Sequence, residues 1–203
     1  IMITVSDMNQ GRKQASKKTA SGSIRIIGGR HRGRKLPVLM ADGLRPTTDR
    51  VKETLFNWLM PYINDENCLD CFAGAGSLGF EALSRGAKNV QLIELNKNAA
   101  KQLLANKLLL KSGDVEVINT NTLDFLKSHV SASFDVVFVD PPFRQGLVSQ
   151  TCELLEKKWL ADQALIYVEM ESEGNHSIPH NWQLLKEKVA GQVAYRLYQR
   201  AET

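Results

Sequence analysis

A glycine-rich turn close to two carboxylates is the first feature of the sequence that could do chemistry. The segment DCFAGAGSLGFEA, from Asp70 to Ala82, predicts the end of a strand, a turn and the start of a helix, and it contains Gly74-x-Gly76-x-x-Gly79. This is the spacing of the fingerprint that binds dinucleotides at a helix N-terminus. By itself, the motif does not distinguish NAD from another cofactor that carries adenosine.

The two carboxylates narrow the choice of cofactor. Glu94 ends the second predicted strand, 20 residues after Gly74, where a carboxylate can accept hydrogen bonds from both hydroxyls of an adenosine ribose. Asp70 stands beside the loop, where a carboxylate disfavours an anionic pyrophosphate and favours the cationic sulfonium and ammonium of S-adenosylmethionine (SAM). The pair therefore favours SAM, while a turn-forming role is the structural alternative for Asp70.

A third polar group is expected at the same edge of the sheet. Asn121, with Thr122, ends the third predicted strand, where an amide can pair with the edge of adenine. Asn121 can equally cap the helix that begins near Leu123, and the two roles are compatible. The predicted cofactor-binding residues are Asp70, Phe72, Ala73, Gly74, Gly76, Ser77, Glu94, Leu95, Asn121 and Thr122.

The stretch FDVVFVDPPF is the most informative one in the sequence. Four apolar residues, Val136–Val139, predict a buried strand that stops at Asp140-Pro141-Pro142-Phe143. Two prolines remove two N–H donors, so carbonyls and the Asp140 carboxylate form a rigid cluster of acceptors. Such a cluster suits an exocyclic amine on a planar ring, on which Phe143 can stack. The structural alternative is a turn in which Asp-Pro merely ends the strand.

An acceptor cluster of this kind predicts transfer of a methyl group to the amine. Holding both N–H bonds favours a pyramidal nitrogen with a free lone pair, and the attack is then aided by proximity and orientation. Asp140 would stabilise the cationic amine and take its proton or pass it to water. For Glu169 and Glu171, the sequence does not distinguish a role in the cleft from a solvated position. The predicted catalytic residues are Asp140, Pro141, Pro142 and Phe143.

The elements that must position these residues alternate along the chain. Apolar strand-like runs alternate with helix-like segments, which predicts a parallel, doubly wound sheet. The last part, WQLLKEKVAGQVAYRLYQR, predicts two strands joined by a turn at Ala190-Gly191. We therefore expect an α/β protein with a Rossmann-like, seven-stranded class I methyltransferase sheet, mostly parallel with an antiparallel terminal hairpin. The strand-like runs are CLDCF, VQLIEL, VEVINT, FDVVFVD and ALIYVEM, and the helix-like segments are Leu78–Arg85, Lys97–Leu110, Leu123–Val130 and Leu147–Leu160.

The N-terminal part differs in pattern from the rest. Residues 1–22 are polar and are predicted to be a disordered basic tail. Ile24–Ile27 and Leu36–Val38 flank a connection rich in Gly and Arg and predict a β-hairpin. An amphipathic helix follows, with Thr47 or Thr48 as its N-cap. The predicted division is a tail (1–22), a hairpin-and-helix extension (23–62) and a methyltransferase domain (63–203), and the family resemblance described below implies that the extension binds RNA.

Composition narrows the class of protein further. The chain has 203 residues, of which 43% are hydrophobic, and a net charge of +4. Residues 1–50 hold 11 Lys and Arg and 3 Asp and Glu, a net +8, whereas the remainder holds 15 and 19, a net −4. A basic arm of this kind indicates a polyanionic partner.

Three cysteines argue against a disulfide framework, and no metal site is expected. No apolar run approaches the roughly 20 residues that span a bilayer, so we expect a soluble, cytoplasmic protein. We also expect it to be a monomer.

Together these motifs resemble a known family. DPPF beside DCFAGAGSLGFEALSRGA is similar to class I SAM-dependent amino methyltransferases, and the more specific stretch RIIGGRHRGRKLPV…LRPTTDRVKETLFNWL resembles the RsmD family. Members of that family methylate the N2 amine of one guanine in 16S ribosomal RNA of the small subunit. The resemblance spans about Ser23 to Arg200, and it implies SAM as cofactor and 16S rRNA, within an assembling small subunit, as partner. Many relatives have Asp where Asn121 stands, a departure at the position expected to contact adenine. The implied RNA-binding residues are Arg30, Arg32, Arg34, Lys35, Arg45, Thr48 and Arg50.

Three other functions are weighed against this one. The same acceptor turn would serve methylation of adenine N6 in nucleic acid or of a protein glutamine, although the basic arm favours nucleic acid. An oxidoreductase that uses a dinucleotide is disfavoured by Asp70 and by the terminal hairpin. An RNA-binding protein without catalysis leaves the acceptor turn unexplained.

Overall fold

The computed structural model describes residues 21–39, 47–128 and 132–202 of the chain. Nine strands and five helices are present in these ranges. The strands are β1 (Ser21–Arg25), β2 (Lys35–Leu39), β3 (Asn67–Asp70), β4 (Asn89–Ile93), β5 (Val115–Ile118), β6 (Phe134–Val139), β7 (Leu160–Glu171), β8 (Trp182–Ala190) and β9 (Val193–Arg200). The helices are α1 (Asp49–Leu59), α2 (Ser77–Ser84), α3 (Lys97–Leu109), α4 (Thr122–Lys127) and α5 (Leu147–Lys158).

The main sheet has seven strands in the order β5-β4-β3-β6-β7-β9-β8. β3 to β7 run parallel, and β9 pairs antiparallel with both β7 and β8. This confirms the predicted fold class, including the terminal hairpin. The bounds differ in detail: β7 begins at Leu160, before the predicted ALIYVEM run, and α4 ends at Lys127 rather than at Val130. Residues 129–131 lie outside the described part of the chain.

The helices cover the sheet in two layers, and each layer has its own apolar core. One core joins the hairpin, α1, α2 and α3 to one face, and the other packs α4 and α5 on the opposite face. Cys68 lies in the first core and Cys71 in the second, both buried as free thiols. The two thiols therefore point to opposite sides of the sheet, because side chains of a strand alternate between its faces.

The N-terminal extension is continuous with the sheet layers. β1 and β2 pair as the predicted hairpin, and Ile24, Leu36 and Phe56 are buried in the same core as α2 and the sheet. Thr48 caps α1 by accepting a hydrogen bond from the Val51 N–H at 3.3 Å. Residues 23–62 therefore share one core with the rest, and the proposed division into domains stays a prediction.

Two predictions fall partly outside the described residues. The predicted tail includes residues 1–20, which the structure does not describe, whereas Ser21 and Gly22 belong to β1. Arg45 also lies outside the described part of the chain. Within the three described ranges, no helix combines the length and apolarity that crossing a membrane would require.

Buried charges fasten the hairpin to α2. Glu81 is fully buried, and its carboxylate accepts hydrogen bonds from the backbone N–H groups of Ile27 and Gly28 at 3.1 and 2.9 Å. The carboxylate also pairs with Lys52 of α1 at 3.4 Å and with Arg85 at 3.0 Å. Burial lowers the pKa of Lys52, although the charge of Glu81 opposes that shift. One carboxylate thus joins the hairpin, α1 and α2.

Candidate active site

The predicted acidic and amide residues meet at the carboxyl edge of the parallel strands. Asp70 is the last residue of β3, while Glu94, Asn121 and Asp140 follow β4, β5 and β6. In open parallel sheets this edge is where ligands bind. The structure therefore places the residues predicted to bind the cofactor and to act in catalysis at one edge of the sheet.

The glycine loop has the backbone that its sequence requires. Gly74 and Gly76 have φ values of 54° and 83°, in the left-handed region that side chains disfavour. A Cβ at Gly76 would lie 2.5 Å from the Phe80 ring. Glu94 holds the loop against β4, because its carboxylate accepts a hydrogen bond from the Gly74 N–H at 2.8 Å. Glu94 is also partly exposed, so it can contact a ligand as well as the loop.

Asp70 lies beneath the loop rather than at its surface. The residue is 2% exposed, and its carboxylate accepts a hydrogen bond from the Phe72 N–H at 3.4 Å. Burial raises the pKa of Asp70 to about 7, and the nearby charge of Glu94 adds to this shift. The structural role of shaping the turn is thus established by contacts. Its role toward the cofactor stays a prediction.

The surroundings of this loop fit a ligand that carries positive charge. Among the residues that the structure describes, no Lys, Arg or His forms an ion pair with Asp70 or Glu94. Ser77, the first residue of α2, is buried, and its hydroxyl has no hydrogen-bond partner in this part of the chain. Two carboxyl groups and an unpartnered hydroxyl beside a half-buried loop suit the ammonium and hydroxyl groups of SAM.

The remaining predicted cofactor residues divide between exposed and structural positions. Leu95 is 67% exposed and presents an apolar surface beside Glu94. Asn121 caps α4 by accepting a hydrogen bond from the Asp124 N–H at 3.1 Å, which confirms the capping role. Thr122 is buried, and its hydroxyl donates to the Cys71 carbonyl, so it fastens α4 to the end of β3. Phe72 and Ala73 are largely covered by the two apolar cores.

The Asp-Pro-Pro-Phe turn is rigid and open on one side. Pro141 is buried, whereas Phe143 is 41% exposed and free to stack on a planar ring. Arg144 has a φ of 63°, and its N–H donates to the Glu171 carboxylate. Burial opposes the charge of Glu171, but the Arg144 N–H and His176 outweigh it and lower the pKa of Glu171. Glu171 therefore fixes the backbone that follows Phe143.

A second carboxyl group, that of Glu169, lies next to Asp140, and this position was not predicted from the sequence. Val139 of β6 pairs with Val168 of β7, so Asp140 and Glu169 follow side by side. Glu169 accepts a hydrogen bond from the Tyr167 hydroxyl at 3.2 Å. Burial raises the pKa of Glu169, while Tyr167 and Asp140 oppose that shift. The signal in the sequence is the period of two along β7, which puts Tyr167 and Glu169 on one face.

The basic residues implied by the resemblance lie at two separate places. Arg30 donates its N–H to the Ser84 carbonyl at the C-terminal end of α2, and Arg34 donates to the Leu109 carbonyl at the end of α3. α2 begins at the carboxyl edge of the parallel strands and is about 12 Å long. The connection that carries Arg30 and Arg34, here called the hairpin tip, therefore lies at the opposite end of this helix. Thr48 and Arg50, by contrast, lie at the accessible start of α1, whose next turn contributes to a depression with Tyr167 and Tyr195.

The protein is a class I methyltransferase, as shown by the order of its strands together with the glycine-rich loop after β3 and the Asp-Pro-Pro-Phe turn after β6. The antiparallel β9 beside β7 separates this sheet from the dinucleotide-binding form. Comparison with known proteins makes the assignment more specific. Residues 24–199 match the family described as "Conserved hypothetical protein 95".

Relatives of high identity cover almost the whole chain. It is 59% identical over 184 residues to "Ribosomal RNA small subunit methyltransferase D" of Escherichia coli strain K12, covering 90% of this chain and 92% of that one. It is 58% identical over 191 residues to the protein of the same name in Haemophilus influenzae, covering 92% and 99%. A solved structure described as "Putative methyltransferase yhhF from Escherichia coli" is similar with a TM-score of 0.83 and 58% identity, covering 90% of this chain and 100% of that one.

The chain belongs to this family, the RsmD family of methyltransferases. The resemblance predicted from the DPPF, glycine-loop and RPTTDR stretches is thereby confirmed. The alternative of an oxidoreductase that uses a dinucleotide is wrong, because both the family and the sheet are those of methyltransferases.

Proposed function

We propose that this protein transfers a methyl group from SAM to the exocyclic N2 amine of a guanine in 16S rRNA of the small ribosomal subunit. The observation that carries the proposal is the position of the Asp140–Phe143 turn. The turn follows β6 and the glycine loop follows β3. Because β3 and β6 are paired and parallel, the turn and the loop lie side by side at the same edge of the sheet. An amine held at the turn is therefore adjacent to a cofactor held at the loop.

The chain's own residues would hold the cofactor in a defined orientation. The loop backbone and the Ser77 hydroxyl would face the amino-acid part of SAM, with the Asp70 carboxyl group beneath them. Glu94 and Leu95 are placed for the ribose and adenine, with Asn121 beside them. SAM supplies a methyl group on a sulfonium, which a nucleophile can take by in-line displacement.

The target base would be held by the turn. Asp140 and the Pro141 carbonyl accept the two amine hydrogens, and Phe143 stacks on the ring. Relatives named as small-subunit rRNA methyltransferases support an rRNA substrate over DNA adenine or a protein glutamine. The exposed basic hairpin supports the same partner, since phosphates would contact its tip while the base enters at the other end of α2.

The test is methylation of subunits and RNA that lack the modification. Small subunits, naked 16S rRNA and large subunits from a strain without the relative's gene are incubated with the protein and labelled SAM. We expect label only in the small subunit or its RNA, as one N2-methylguanine located by nuclease mapping and mass spectrometry. Label in adenine, in ribosomal protein or in none of the substrates would contradict the proposal.

The hairpin tip should contribute to RNA affinity but not to chemistry. Replacing Arg30, Arg32 and Lys35 with Gln leaves the Arg34 bond to α3 intact. We expect weaker RNA binding and a salt dependence that is shallower by about 0.7–0.9 for each phosphate that the variant no longer neutralises. The matched control replaces three exposed lysines elsewhere, Lys127, Lys157 and Lys186, with Gln. Equal slopes for both triple variants in a filter-binding salt titration would exclude the tip from the RNA interface.

A further inference from the structure

The acceptor turn has a second carboxyl group that neither the sequence motif nor the family comparison assigns. Asp140 and Glu169 directly follow Val139 and Val168, which pair across β6 and β7, so the two carboxyl groups occupy adjacent positions at the sheet edge. Two carboxyl groups can share a hydrogen bond only when one of them carries a proton. Because like charges at adjacent buried positions disfavour double ionisation, the pair is most stable with one shared proton and a single negative charge.

The hydroxyl group of Tyr167 indicates which of the two carboxyl groups, Asp140 or Glu169, carries the negative charge. Burial raises the pKa of Glu169, but the Tyr167 hydroxyl donates to its carboxylate at 3.2 Å and opposes that shift, so Glu169 ionises more readily than Asp140. Asp140 is then the protonated member, donating to Glu169 with one oxygen and offering the other as an acceptor. Burial raises the pKa of Asp140 well above its ordinary value, and the charges of Glu169 and Asp70 raise it further.

A protonated Asp140 cannot by itself take the proton that the reaction releases. After methyl transfer the nitrogen carries a positive charge, and it must lose one proton to give the methylated amine. Asp140 can accept that proton at its free oxygen only while it gives its own proton to another base. Glu169 is the group in contact with Asp140 that can receive it.

We propose that Glu169 is the final proton acceptor of the methyl transfer and acts through Asp140; this step rests on the proposed amine substrate. As the nitrogen lone pair forms the N–C bond, the bond from the methyl carbon to the donor sulfur breaks and its electron pair stays on sulfur. The nitrogen then gives a proton to Asp140, and Asp140 gives its proton to Glu169. Glu169, which is partly exposed, releases the proton to water.

Four titratable groups of the described residues lie around the pair, on β3, β7, β9 and β8. Asp70 of β3 faces Asp140 through its charge, and Tyr167 of β7 contacts Glu169. Tyr195 of β9 pairs with Glu169 in the sheet, and Lys188 of β8 pairs with Tyr195. From α1, the residues that line the adjacent depression are uncharged: Val51, Thr54, Leu55 and Trp58.

The decisive variant is Glu169→Gln, which retains a hydrogen-bonding side chain of the same size but cannot take a proton. We expect kcat on small subunits to fall about 100-fold, the lower end of general acid–base effects, with KM for the subunit unchanged. SAM affinity by calorimetry and the unfolding temperature should match the wild type. Glu173→Gln, an exposed carboxylate beyond β7, is the matched control.

The pH profile separates proton acceptance from a structural role. In the wild type, the shared hydrogen bond stabilises the singly protonated pair, so activity persists until both groups are protonated at low pH. In Glu169→Gln, Asp140 must ionise alone beside Asp70 before it can accept a proton. The acid limb of kcat should therefore move to higher pH, which a loss of packing alone would not cause.

The possible negative results distinguish the proposed function from the proposed role of Glu169. A wild-type protein that methylates no ribosomal substrate overturns the proposed function. A wild-type protein that is active while Glu169→Gln has the same kcat and acid limb overturns the role of Glu169 alone. Carboxyl ¹³C NMR of the free wild-type protein gives a readout that needs no variant: Asp140 and Glu169 should titrate as one coupled pair, and independent titrations at ordinary pKa values would also overturn the role.

Discussion

Replacing Asp140 with Ala should reduce kcat about 1000-fold while the dissociation constant for SAM changes little. The carboxyl group accepts a hydrogen of the target amine and passes its proton onward, and general acid–base groups contribute about 10²–10⁴-fold. The glycine loop, Glu94 and Ser77, which would hold the cofactor, do not depend on this side chain. Single-turnover kinetics on small subunits and calorimetry with SAM measure the two quantities separately.

The control for this substitution is Asp114→Ala, because Asp114 is an exposed carboxylate in the turn before β5. It should retain wild-type values of both constants. Turnover of Asp140→Ala within tenfold of the wild type would contradict the role of Asp140 in the chemistry. Loss of SAM affinity together with turnover would place Asp140 in cofactor binding instead.

Much of the fold could be predicted because local pattern and global topology agree in this chain. The alternation of apolar runs with helical segments indicated the parallel sheet, and the missing helix after β7 indicated the antiparallel hairpin. The sheet edge then brought together Asp70, Glu94 and Asp140, since residues that end parallel strands share one edge. Prolines and glycines were reliable signals because their backbone restrictions do not depend on packing.

The parts that were not predicted depend on contacts between distant segments. Pairing of Asp140 with Glu169 requires the register of β6 on β7, which the sequence does not specify residue by residue. The burial of Asp70 follows from how closely α2 packs on the sheet, where a Cβ at Gly79 would lie 2.2 Å from Leu92. The separation of the hairpin tip from the cofactor edge follows from its docking on α2.

The substitution Glu81→Ala should lower the free energy of unfolding by about 3–5 kcal/mol, the cost of breaking a buried ion pair. It would leave the Lys52 ammonium buried without its carboxylate and deprive two hairpin N–H groups of their acceptor. Urea denaturation measures this loss. Glu81→Gln should cost less, because an amide oxygen still accepts from Gly28.

The hydrogen bonds and ion pairs of Glu81 also explain how the hairpin is held relative to the active site. α2 begins at the glycine loop with Ser77 and carries Glu81 one turn later, so the cofactor loop and the hairpin are fixed to one short helix. If the buried ammonium causes most of the loss, Lys52→Met combined with Glu81→Gln should be more stable than Glu81→Gln alone. A double variant of equal or lower stability would show instead that the hairpin N–H groups dominate. The RNA affinities of Glu81→Gln and of the double variant would then be compared. A difference in affinity that does not follow the difference in stability would show that the placement of the hairpin controls access of the RNA to the Asp140 turn.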